Sequence, residues 1–139
     1  MEKRCTVLIT EDDNDDADFL KQALIDNAFG GKVEHLTDGL QLLKKLSTLK
    51  SESSLPEMVV LDLNMPYKSG IEVLDIIRKD PDLKDITVAI VTASISPEDK
   101  EICGNKGCEL FLRKPIQFND YKMIATQILS LMRSKFAYC

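Results

Sequence analysis

Five side chains, widely spaced along the chain, have the chemistry to act together. Glu11 and Asp12 follow the apolar run Cys5–Thr10, and Asp62 stands near the end of a second run, Glu57–Leu63. Thr92 closes a third, Ile86–Thr92, and Lys114 follows a fourth, Glu109–Arg113. Carboxylates gathered without thiols or imidazoles suit a hard divalent ion, Mg²⁺ or Mn²⁺, which keeps several waters and takes a phosphate oxygen as a further ligand. A carboxylate beside such an ion can attack phosphorus in line and become an acyl phosphate. Charge on the equatorial phosphoryl oxygens then needs neutralising. The metal supplies part of this, Lys114 can contact another oxygen, and the Thr92 hydroxyl can donate to a third. The backbone carbonyl of Asn64, just past Asp62, is placed to complete the metal's ligands.

Ordinary explanations account for some of these residues. Glu11–Asp16 holds five carboxylates in six residues. Acids at a helix N-terminus favour the helix dipole, which accounts for Asp15, Asp16 and Asp13. It does not account for Glu11 and Asp12, which repel one another directly at the end of a strand. A calcium loop starting at Asp12 fails, because Ala17 stands where glycine is required and Ala23 where the bidentate glutamate is required. Asp62 read as a turn residue before Met65-Pro66 is weakened by Val59-Val60-Leu61, which makes it the end of a buried strand. Thr92 and Lys114 alone would be unremarkable; their weight lies in joint placement. Cys5, Cys103, Cys108 and Cys139 include no C-x-x-C pair, and His35 is the only histidine, so zinc is disfavoured. The cysteines read as reduced, mostly buried thiols, with Cys139 an exposed one.

Joint placement needs a scaffold. Short β-branched runs alternate with segments of helical period. Cys5–Thr10 and Lys32–Thr37 read as strands, as do the three later runs. Asn14 to about Ala28 is a helix with Ala17, Leu20, Ala23 and Leu24 on one face, ended by Gly30-Gly31. Asp38 caps a second helix, with Leu42, Leu43 and Leu46 inward. Ser47–Pro56, rich in Ser, Lys and Glu, reads as a flexible loop. Ser69–Lys79 is a helix with Val73, Leu74 and Ile77 inward. Ser96-Pro97 starts another, with the serine as cap. Asn119 or Asp120 starts the last, with Ile124, Ala125, Ile128 and Leu131 on one face. The order βαβαβαβαβα implies parallel strands with right-handed crossovers, a doubly wound α/β sandwich with helices on both faces. In such folds the site lies outside the carboxyl ends of the strands, where the five side chains fall.

The bulk properties agree. The length of 139 residues suits one domain, with an expected core of about 5–134 and no output domain. Eighteen basic against 23 acidic residues argue against nonspecific nucleic-acid binding, which needs a basic face. No apolar run approaches the length of a membrane span, and no signal peptide precedes the first strand, so a cytoplasmic location is expected.

These residues carry a resemblance. VLITEDD (Val7–Asp13), VVLDLNMPYKSG (Val59–Gly70), AIVTAS (Ala89–Ser94) and FLRKPI (Phe111–Ile116), in this order and spacing, resemble the receiver domains of two-component response regulators. The resemblance runs from about Thr6 to Met132. The loop before Pro56 and Arg78–Val88 resemble the single-domain type that includes cyanobacterial phytochrome-associated regulators. The resemblance implies a flavodoxin-like five-stranded sheet of order 2-1-3-4-5 and a phospho-aspartate switch, not an enzyme with a separate substrate. Asp62 would be the phospho-acceptor. Asp12 would be a direct metal ligand and Glu11 one acting through water, with Asp62 and the Asn64 carbonyl completing the set. Thr92 would be the switch hydroxyl, Lys114 the phosphate-contacting cation, Phe111 the switch aromatic, and Lys114-Pro115 a cis peptide. Glu11 stands in place of the commoner aspartate. The donor would be a sensor histidine kinase or a histidine phosphotransfer protein. Output would go through binding, including pairing with a second copy, at the face of the fourth helix, fifth strand and last helix. A phosphatase on a similar sheet would resemble D-x-D-x-[TV] after the first strand, which this chain lacks. A receiver that had lost phosphorylation would not keep all five side chains.

Overall fold

The computed structural model describes residues 4–93, 96–117 and 120–139. Strands and helices alternate throughout: β1 (Thr6–Thr10), α1 (Asn14–Asp26), β2 (Lys32–Leu36), α2 (Gly39–Ser51), β3 (Met58–Leu61), α3 (Gly70–Lys79), β4 (Thr87–Thr92), α4 (Pro97–Asn105), β5 (Leu110–Arg113) and α5 (Tyr121–Lys135). The strands form one parallel sheet in the order β2-β1-β3-β4-β5, the doubly wound, flavodoxin-like arrangement expected.

Alternation along the strands builds two cores. In β1, Val7 and Ile9 face α1 and α5, packing on Leu20, Leu24, Ile124 and Ile128. Leu8, between them, points the other way, toward Leu42 and Leu46 of α2, Val73, Leu74 and Ile77 of α3, and Cys103 of α4. β3 and β4 are buried along their whole length, as strands covered on both faces must be. The inward faces read from helical period hold: Ala17, Leu20, Ala23 and Leu24 are the buried residues of α1, and Val73, Leu74 and Ile77 are buried in α3. In α5, Ile124, Ala125 and Ile128 are joined by Leu129 and Met132, while Leu131 is only partly covered.

Polar caps set where four helices begin. The side chains of Asp13, Asp38, Ser69 and Ser96 accept from the backbone N–H of Asp16, Gln41, Glu72 and Asp99. Asp120 precedes α5 without a side-chain cap bond. Asn119, the other candidate start, lies outside the described residues, as does Ser94.

Two sequence expectations need correction. Ser47–Pro56 is not a loop throughout, because α2 continues to Ser51. Leu49 extends the Leu42, Leu46 spacing and packs against the core, while the Ser and Lys side chains occupy its solvated face. Cys5 and Cys139 are not free thiols. The last residue folds back until its Cα is 5.3 Å from that of Cys5, within bridging range, and the two form a disulfide. Cys103 and Cys108 remain free, and burial raises the pKa of both thiols. Among the described residues no helix is long and apolar enough to cross a membrane.

Candidate functional site

Sheet register brings the reactive side chains to one edge. Thr10 lies opposite Leu36 and Leu61, Leu61 opposite Ile90, and Thr92 opposite Arg113. The residues that follow β1, β3 and β5, namely Glu11, Asp62 and Lys114, therefore emerge side by side, with Thr92 among them. Backbone bonds continue the ladder one step past the strands: Asp62 N–H donates to Thr10 O at 3.2 Å and Lys114 N–H to Thr92 O at 2.8 Å. Gly70, at the start of α3, is required by close approach. A Cβ there would stand 2.3 Å from the Asp62 carbonyl oxygen, so any larger residue would push α3 off the strand end.

The Asp62 carboxylate is buried and its oxygens have separate partners. Thr92 Oγ1 donates to Oδ1 at 2.9 Å, and the Asn64 N–H donates to the same oxygen at 3.2 Å. Lys114 Nζ donates to Oδ2 at 2.9 Å. The same ammonium lies 2.5 Å from Glu11 Oε1 and 3.1 Å from Asp16 Oδ2. Burial alone would lower the Lys114 pKa, but the hydrogen bonds and charges of Glu11 and Asp62 outweigh it and hold the ammonium charged. Glu11 is the carboxylate that gives way. Its burial raises the pKa, the Lys114 hydrogen bond opposes this, the Asp62 charge adds to it, and the carboxyl settles at about 8.

Glu11, Asp12 and Asp62 each present a carboxylate oxygen within 4.8 Å of the others, Asp12 exposed and the other two buried. All-oxygen donors with one open, solvent-facing side fit a hard divalent cation and do not fit zinc or copper.

Of the residues picked out by sequence, Glu11, Asp12, Asp62, Thr92 and Lys114 are brought together. Asn64 adjoins them through its N–H. Phe111 stands apart, half-buried in β5 and packed on the core beneath α2, α3 and α4. The Lys114-Pro115 peptide is trans, contrary to expectation. Lys114 reaches its carboxylates from this geometry, and trans is the lower-energy isomer of an X–Pro bond unless the fold demands otherwise.

Two participants were missed. Asp16, assigned to the helix dipole, reaches Lys114 instead; its place four residues before the buried Leu20 was the available signal. Tyr121, at the start of α5, is buried with its hydroxyl beside Asp16 and its ring 6.1 Å from that of Phe19. Burial, with the Asp16 charge, raises its pKa.

Residues 7–126 match the response regulator receiver domain. The chain is 34% identical over 123 residues to the probable methanogenesis regulatory protein FilR2 of Methanothrix harundinacea, covering 88% of this chain and 79% of that protein. It is 31% identical over 121 residues to response regulator Rcp1 of Synechocystis, covering 85% and 82%. Among solved structures it is similar to the phosphorylated cyanobacterial phytochrome response regulator RcpA, with a TM-score of 0.87, 26% identity and 96% of each chain covered. It is also similar to the Mn(2+)-bound form of response regulator Rcp1, with a TM-score of 0.79, 29% identity, and 91% and 92% covered. The chain belongs to the receiver domain family of response regulators, the phospho-aspartate switches of two-component signalling.

Proposed function

We propose that Asp62 accepts a phosphoryl group from the phosphohistidine of a sensor histidine kinase or a histidine phosphotransfer protein. One carboxylate oxygen of Asp62 attacks phosphorus as the bond to the donor nitrogen breaks, and the histidine leaves with the electron pair. The observation that carries this reading is Asp62 itself: a buried carboxylate between a hydroxyl donor and an ammonium, beside two further acids. Glu11, Asp12 and Asp62, with the Asn64 carbonyl, would hold Mg²⁺ or Mn²⁺. The ion, when bound, draws charge from the phosphoryl oxygens and screens the acids from one another. Lys114 neutralises a second phosphoryl oxygen, and the Thr92 hydroxyl turns from Asp62 toward a third. The domain thus catalyses only its own phosphorylation and dephosphorylation. Its output is altered protein binding at the face of α4, β5 and α5, toward a target or a second copy, in the cytoplasm, where donors of this class present their phosphohistidine.

The test is covalent labelling. Incubation with acetyl phosphate and Mg²⁺ is expected to label the protein at Asp62, and Asp62→Ala to abolish the label. Mass spectrometry that finds the label retained in that variant overturns the assignment.

A further inference from the structure

Lys114 has one more anion than the proposed chemistry uses. Glu11, Asp12 and Asp62, when ionised, are matched by one divalent cation and the Lys114 ammonium. Asp16 is a surplus negative charge. It comes from the first turn of α1 and not from a strand end, and its Oδ2 is 3.1 Å from Lys114 Nζ. It is held on both sides, by the ammonium and by the buried Tyr121 next to it. Asp15, its neighbour in the same turn, is exposed. The two acids share the helix dipole, so the dipole cannot explain why only Asp16 turns into the site.

Phosphorylation changes what Lys114 must do. The Asp62 carboxylate, of charge −1, becomes an acyl phosphate of about −2. The ammonium is then the protein's one positive charge in reach of Asp62 among the described contacts. A carboxylate already bonded to it draws it toward α1 and adds repulsion to the incoming group. Building on the reading of Lys114 as the phosphoryl-contacting cation, we propose that Asp16 is a positioning residue that competes with the phosphoryl group for Lys114. It thereby acts as a brake on the phosphorylated state. Glu11 and Asp62 also hold Lys114, but both belong to the acid trio that could hold an ion, whereas Asp16 lies outside it. It remains as the competitor.

The test uses the full chain and beryllofluoride, which mimics a phosphoryl group on a carboxylate, at saturating Mg²⁺, with binding read from amide NMR shifts. Mg²⁺ alone is titrated in parallel. Asp16→Asn is expected to bind beryllofluoride about three- to fivefold tighter, the scale of a partly exposed ion pair. Its affinity for Mg²⁺ alone is expected to be equal or lower, because a nearby negative charge is gone. Asp16→Glu restores wild-type behaviour, and Asp15→Asn, which removes the same charge without a Lys114 contact, changes neither titration. Equal beryllofluoride affinity in wild type and Asp16→Asn overturns the role of Asp16, as does an equal gain in Asp15→Asn or in Asp16→Glu. A wild-type protein that binds Mg²⁺ but no beryllofluoride overturns instead the reading of the site on which the role rests.

Discussion

Thr92 Oγ1 donates to Asp62 Oδ1 at 2.9 Å across adjacent strands, in the fully buried end of the sheet. This bond fixes which oxygen of Asp62 is left to Lys114, and its hydroxyl is the group that a phosphoryl oxygen would recruit. Its loss therefore has two separable effects. In Thr92→Val, Asp62 Oδ1 keeps only the Asn64 N–H, and the unphosphorylated protein is expected to lose about 1–3 kcal/mol of unfolding free energy. The same variant should still accept beryllofluoride, since Lys114 and the acids are untouched. It should not transmit the change to Phe111, whose ring packs on the core beneath α2, α3 and α4. Chemical denaturation reads the first effect and side-chain NMR of Phe111 the second. A Phe111 response equal to wild type in Thr92→Val would show that output does not pass through this hydroxyl.

Asp12 and Glu11 differ in burial, and that difference predicts unequal effects on the metal. Asp12 is exposed, free to turn its carboxylate onto an ion, whereas Glu11 is already engaged by Lys114 and by the Asp13 N–H at 3.2 Å. Asp12→Ala is expected to weaken Mg²⁺ binding more than Glu11→Ala. Asp12→Ala also removes an exposed acid from the cluster, so that variant's metal-free form should lose little stability or gain some, whereas Glu11→Ala removes a partner of Lys114 and of the Asp13 N–H. Titration of Mg²⁺ by amide NMR checks the order; equal losses would remove the distinction between direct and water-bridged ligands.

The burial of Glu11 makes the metal-free domain sensitive to pH. Its carboxyl is raised from 4.5 to about 8, so the folded state holds this proton more tightly than the unfolded state does. The stability it contributes is complete below the unfolded value and is lost as pH rises through about 8. In the presence of a chelator, unfolding free energy should fall across that window, and Glu11→Gln should flatten the slope. Metal binding must displace the same proton, so Mg²⁺ affinity should rise over the same range. A slope unchanged in Glu11→Gln would assign the dependence to another group.

How much of this was readable from residues alone depends on how local the signal is. Apolar β-branched runs mark the strands, and the order of elements fixes a parallel sheet whose carboxyl ends must carry the site. Glu11, Asp62, Thr92 and Lys114 were legible because each stands at such an end. Asp16 was not, because a first-turn acid already has a sufficient cause in the helix dipole, and only the path of Lys114 back over α1 gives it another. The end of α2 was hidden by a solvated face whose composition is also that of a loop. The isomer of Lys114-Pro115 rests on a small energy difference that composition does not express, roughly 0.5–1 kcal/mol. The pairing of Cys5 with Cys139 spans 134 residues and has no spacing signature.

That pairing supports the last expectation. The chain beyond α5 turns back under the sheet, away from the carboxyl ends. The Tyr138 hydroxyl donates to Glu57 Oε2 at 2.6 Å, and Glu57 Oε1 accepts the Thr6 N–H at 2.9 Å. Cys139 then closes onto Cys5, which is buried just before β1. The link spans 134 residues of sequence, so opening it frees an unfolded chain that had been closed into a long loop. Cys139→Ser is expected to lower unfolding free energy by about 2–4 kcal/mol. Beryllofluoride binding should be unchanged, because the phospho-site lies at the opposite end of the strands. Under denaturing, non-reducing conditions the wild-type protein should show the two free thiols of Cys103 and Cys108, and after reduction all four. Four reactive thiols before reduction, or a Cys139→Ser variant as stable as wild type, would show that this link does not hold the fold in solution.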